Sequence, residues 1–196
     1  MTETQNAILD YWFGNLDDSG LCAPSQQALW FKSSDATDQH CRDCYGELTR
    51  QAIAGELDHW ADSDRGLIAL IVLLDQLPRN IHRGTPGAFS GDARALALAQ
   101  QTIVAGHHQR LPAIHQVFLY LPLEHSEDLE VQEECVELFD ELVAITGHEM
   151  IAGFRQYAVA HRDVIAQFGR FPHRNAILGR TSSEDEVAYL ATHGGF

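Results

Sequence analysis

The chain reads as an all-α protein. Apolar residues recur at helical spacing in segment after segment, and glycine or proline punctuates the segments. No stretch alternates apolar and polar residues between hairpin turns. A single domain over residues 1–196 is expected. It would be an array or bundle of about eight or nine antiparallel helices joined by mostly short loops.

Taken in order, residues 6–13 place Ile8, Tyr11 and Trp12 on one side of a short helix that stops at Gly14, and residues 14–24 form a loop. A segment around residues 25–32 carries Leu29, Trp30 and Phe31. A longer helix starts near Ser34, repeats Cys41, Tyr45, Leu48 and Ala52 at helical spacing, and ends at Gly55. Asp64 is expected to cap a helix over 65–77 that is apolar nearly all round, so this helix is expected to be central. A glycine-rich loop over 82–91 precedes an Ala/Leu-rich helix over 92–105. Another helix begins after Pro112 and is expected to end at Pro122. Ser126 suits the N-cap of a helix over 127–146 stopped by Gly147. The next runs over 149–167 to Gly169, and Ser183 with Glu186 spells a capping box for the last.

Charge excludes some functions. Asp and Glu outnumber Lys and Arg by 28 to 13, a formal charge of −15. Such a surface repels a phosphate backbone and anionic lipid, so neither nucleic acid nor membrane is expected as a partner. No apolar run reaches the roughly 20 residues that a membrane helix needs, and the N-terminal residues lack the pattern of a secretory signal. A cytoplasmic location is expected. Lys32 is the one lysine, and five of the twelve arginines (Arg79, Arg83, Arg170, Arg174, Arg180) fall in two proline-containing stretches. Cys41 and Cys44 have the CxxC spacing without a second pair, on a stretch that reads as helix, so they are read as buried or idle thiols. No metal site and no cofactor fingerprint is expected.

Four places can carry chemistry. Asp75 interrupts an apolar helix, with Arg79 four residues on as its ion-pair partner. Tyr120 to Asp128 puts Glu124 and His125 at a turn, with Glu127 and Asp128 in a first helical turn. His125 with Glu127 or Asp128 reads as an acid/base pair, or as acids favoured by a helix dipole. His161 lies on an apolar helix face between Tyr157 and Ile165, where a histidine is commonly a satisfied core group. The densest stretch is 168–180, where Arg170, His173, Arg174, Asn175 and Arg180 surround Gly169 and Pro172. It serves either as a staple, its arginines reaching back to Asp75, Glu127 or Asp128, or as an anion pocket for a substrate carboxylate or phosphate. Leu77 to Gly84 and Phe171 to Arg180 echo one another, each with a proline, an asparagine and arginines.

The stretches Leu74 to Gly84, Tyr120 to Asp128 and Phe168 to Asn175, with Tyr11-Trp12-Phe13-Gly14 and Trp30-Phe31, resemble a bacterial family catalogued as domain of unknown function number 924. The resemblance covers essentially the whole chain. It implies an all-helical, tetratricopeptide-like architecture and no particular activity.

Two functions are therefore expected in competition. In one, Asp75, Arg79, Arg83, His161, Arg170, Arg174, Asn175 and Arg180 hold an anionic small molecule while His125, His173, Glu127 and Asp128 move protons, in hydrolase- or lyase-type chemistry that uses no cofactor. In the other, a helical groove docks a basic protein or peptide partner, and the same residues only hold helices together.

Overall fold

The computed structural model describes residues 2–32 and 34–195, and among these every regular element is helical. Contacts divide the chain into two compact units, residues 1–83 with 87–122 and residues 84–86 with 123–196. The first holds α1 (Thr2–Phe13), α2 (Gln27–Phe31), α3 (Asp35–Ala54), α4 (Asp64–Ile71), α5 (Leu77–Ile81) and α6 (Asp92–Val104). α7 (Ala113–Glu124) leads into the second, which holds α8 (Leu129–Thr146), α9 (Glu149–Phe168) and α10 (Glu184–His193).

The core of the first unit is the apolar run recognised in the sequence. Every residue from Ile68 to Leu74 is 0% exposed, because α1, α3 and α6 pack around α4 and its continuation. The expected uninterrupted helix over 65–77 is corrected here: Val72–Gln76 is a π-helical turn in which the Leu77 N–H reaches back to the Val72 carbonyl. Pro78 supplies a cause, since it has no N–H for the carbonyl of Leu74, the residue four before it. Gly91 seats against that carbonyl, and a Cβ on Gly91 would overlap the Leu74 oxygen. The π-turn thereby holds the start of α6.

Helix ends follow local chemistry, with three shifts. Gly55, Gly147 and Gly169 end α3, α8 and α9, and the Ser183–Glu186 capping box forms. Ser63, not Asp64, caps α4 by accepting from the Gly66 N–H, and Asp128, not Ser126, caps α8. α7 runs through Pro122 to Glu124 instead of ending there. The fully buried Gln132 closes this end, its Nε2 donating to the last helical carbonyl, Glu124 O, at 2.6 Å and to Ser126 O in the following turn at 2.7 Å. In the second unit α8 and α9 form a tight antiparallel hairpin across Gly147 and His148, tied by Arg155 to Asp140 at 2.8 Å.

Candidate functional site

The polar stretch after α9 folds into a short 3₁₀ turn, Pro172–Arg174, directed by Gly169 and Pro172. Two carboxylates organise it. Glu186, in the first turn of α10 and only 2% exposed, accepts from Arg170 Nε at 2.6 Å and Nη2 at 2.8 Å, from Asn175 Nδ2 at 3.2 Å, and from the Ser183 N–H at 2.7 Å. The Arg170 guanidinium above all, together with the Ser183 and Asn175 donors, holds its carboxyl down to about 2. Glu127 accepts from Arg180 Nη1 at 2.6 Å and Nη2 at 2.9 Å, and from the Phe171 N–H at 2.8 Å. Burial raises the Glu127 pKa, but Arg180, the Phe171 N–H and Arg174 outweigh it and leave it below the usual range. Arg180 Nε also donates to Asn175 Oδ1 at 2.9 Å, which joins the two carboxylate systems into one lattice.

A second group gathers around the buried Phe171 ring. The Arg174 guanidinium sits 4.4 Å from the ring centroid, His161 lies 5.5 Å away and His173 5.6 Å away, centroid to centroid. The His125 ring is 6.3 Å from that of His161. His161 is 6% exposed, and its Nδ1 meets Tyr157 O at 2.9 Å and Glu124 Oε1 at 3.2 Å. Burial first, then repulsion from His125, Arg174 and His173, pushes its pKa down to about 3. The ring is therefore neutral at pH 7. Its Nδ1 proton faces two acceptors, a tautomer that leaves the lone pair on Nε2. The 3.2 Å contact with Glu124 is accordingly one between a carboxyl group and a neutral ring, not an ion pair. Gln132 fixes the turn that presents Glu124 and His125. Gly195 rests on His173, where a Cβ would lie 2.7 Å from the His173 Cβ and 3.1 Å from its ring Cγ.

The remaining expected residues are placed as follows. Asp128 precedes α8 and accepts from the Glu130 and Val131 N–H groups, so its carboxylate is a helix cap. In the first unit Asp75 is fully buried, accepts from Gln76 Nε2 at 2.6 Å, and lies 3.4 Å from Arg79 Nη2. Arg79 also reaches Asp92 at 3.1 Å. Arg83 grips Asp38 through Nε at 2.6 Å and Nη2 at 2.9 Å, with Asn80 Nδ2 on the same carboxylate at 2.9 Å. Arg83 is the main reason that Asp38 sits below its ordinary pKa.

Sequence reasoning did not assign Glu124 to His161, nor Glu186 to Arg170. The capping box made Glu186 visible as a helix-starting acid, yet its partner lies sixteen residues away and has no local signature.

Comparison with known proteins follows the same outline. Residues 8–194 match the family described as bacterial protein of unknown function (DUF924). A solved protein of unknown function from Agrobacterium tumefaciens is similar at 33% identity and a TM-score of 0.82, covering 97% of this chain and 98% of that one. No curated protein matches. With nearly its whole length inside the family match and its helical fold shared with that solved structure, the chain belongs to the bacterial DUF924 family.

Proposed function

We propose that the second unit binds a small anion and can move protons on it, with Arg174 as the anion-holding cation and Glu124, His161, His125 and His173 as the acid/base groups. The supporting observation is that His161, His173 and the Arg174 guanidinium gather on the Phe171 ring, while His125 and Glu124 reach the same group through His161. A neutral His161 whose Nδ1 is held by the Tyr157 carbonyl, beside Glu124, presents an Nε2 lone pair that can accept a hydrogen bond from a bound acid. The half-buried His125 and His173 are suited to relay protons to solvent. Such groups serve hydrolysis or elimination without a cofactor.

In this reading Arg170, Asn175, Arg180, Glu127 and Glu186 are the frame, Asp128 is a cap, and Asp75, Arg79 and Arg83 stabilise the first unit. The internal pairing of Arg170 and Arg180 also favours the competing reading, a helical interaction module whose polar stretches are architectural throughout.

Titration of the folded chain with inorganic phosphate and with small carboxylates, read by histidine NMR, decides between them. Saturable shifts at His125, His161 or His173 are expected, weakened at least about tenfold by Arg174→Gln at preserved fold. Arg180→Ala is expected to lower Tm without changing the shifts of a folded sample. Absence of any saturable shift, or equal affinity in Arg174→Gln, leaves the interaction module.

A further inference from the structure

The first unit contains a cavity of about 220 Å³ beside the C-terminal end of α1, lined by Leu9, Asp10, Phe13, Asn15, Arg65 and His115. None of these residues belongs to the site proposed above. Gly14, at φ 65°, turns the chain at the end of α1 and so exposes the helix end to the cavity. The floor is apolar: Leu9 is 3% exposed and Phe13 1%. Against Phe13 stands the His115 ring, 4.7 Å away between centroids and 5% exposed.

Three polar groups meet this floor. His115 is neutral at pH 7, its pKa pushed down to about 4 by burial and by the nearby Arg65 charge. Arg65 is exposed, and its Nε donates to Asn6 Oδ1 at 2.9 Å, which anchors one edge of the guanidinium. Among the described residues, no protein atom hydrogen-bonds either Nη of Arg65 or either ring nitrogen of His115. A buried imidazole lining a cavity without a protein partner asks for a ligand group or water. Asp10 supplies a carboxylate on the same wall, which disfavours a simple anion and suits a molecule with both signs of charge. The volume is below the roughly 300–1,000 Å³ of drug-sized sites, so the guest is small.

We propose that this cavity binds a free α-amino acid with an apolar side chain. Arg65 takes the carboxylate, Asp10 the ammonium, and the Leu9–Phe13 floor the side chain, with His115 hydrogen-bonding the bound molecule from the wall. The three demands are separable, because removing either charge from the ligand isolates one of them.

The test uses the full chain and a panel of apolar L-amino acids (alanine, valine, leucine, phenylalanine), with 4-methylpentanoate and 3-methylbutylamine as single-charge analogues of leucine. Affinity is followed by the His115 imidazole signals and by calorimetry. At least one amino acid is expected to bind saturably, and the leucine analogues are expected to bind at least about tenfold more weakly than leucine itself. Arg65→Gln and Asp10→Asn, both at exposed positions, are each expected to weaken binding by a similar factor with Tm unchanged. The proposal is overturned if no amino acid binds, if the carboxylate alone binds as tightly as leucine, or if neither variant alters affinity.

Discussion

His161 and His115 show how burial of one side chain becomes a property of the fold. Each has an ordinary pKa of 6.5, pushed down to about 3 in His161 and about 4 in His115. The folded chain therefore keeps both rings unprotonated while the unfolded chain takes up protons below about pH 6.5, so acid favours unfolding. Stability carried by these rings is complete above 6.5 and is lost as pH falls towards 4 and then 3. Glu186, held at about 2, adds its own loss below its ordinary 4.5. Between pH 7 and pH 5 the fall in Tm should come from histidine, and His161→Gln should flatten it. Parallel Tm profiles for wild type and this variant would mean that His161 is protonated in the folded chain. At this scale the sequence disclosed residue types without their states: a histidine on an apolar helix face was visible, but the three charged or polar neighbours that help keep it neutral come from two other segments.

At the scale of elements, local chemistry was legible and register was not. Glycine stops, the Ser183–Glu186 box and the apolar faces act within a few residues, so they were read correctly. Ser63 and Asp128 displaced neighbouring caps by one or two positions, where several capping side chains compete for the same N–H groups. The π-turn was legible only through Pro78, which withholds an N–H from the Leu74 carbonyl; Val72–Gln76 itself spells no turn type. The two echoing stretches correspond in part: Asn80 and Arg83 share Asp38, and Asn175 binds Glu186, but there the guanidinium is Arg170, just outside the echo, while Arg180 binds Glu127. These partners are nonlocal, so the sequence indicated the clamps without their acids. The π-turn has a testable dependent. Gly91→Ala should destabilise by about 1–3 kcal/mol in chemical denaturation, because the new Cβ meets backbone of Leu74 and not a movable side chain. Unchanged stability would show that α6 docks elsewhere.

Over the whole molecule, acidic composition is the dominant long-range force. A formal charge of −15 makes the folded chain repel itself, and many of its arginines are spent in pairs such as Arg50–Glu47, Arg83–Asp38 and Arg110–Asp64. Exposed pairs contribute little, so screening should relieve more repulsion than attraction. Raising NaCl from 0.05 to about 0.5 M should increase Tm by a few degrees. A decrease would place the net electrostatic contribution in the paired arginines. Among the described residues, no helix is long and apolar enough to cross a membrane. The all-helical class followed from spacing and punctuation distributed along the chain, and the family from the resemblance carried by motifs spread over it. For the candidate site, His125, His161, His173 and Arg174 were nameable from the sequence, but their geometry was not, because it depends on which distant groups each one meets.

The seating of Gly195 on His173 has a practical side. Any side chain at position 195 would press on this histidine, because its first carbon would stand 2.7 Å from the His173 Cβ. Ligand titrations of the second unit should therefore keep glycine there, since a weak response from a bulkier residue would report crowding of the histidine and not a lost ligand contact.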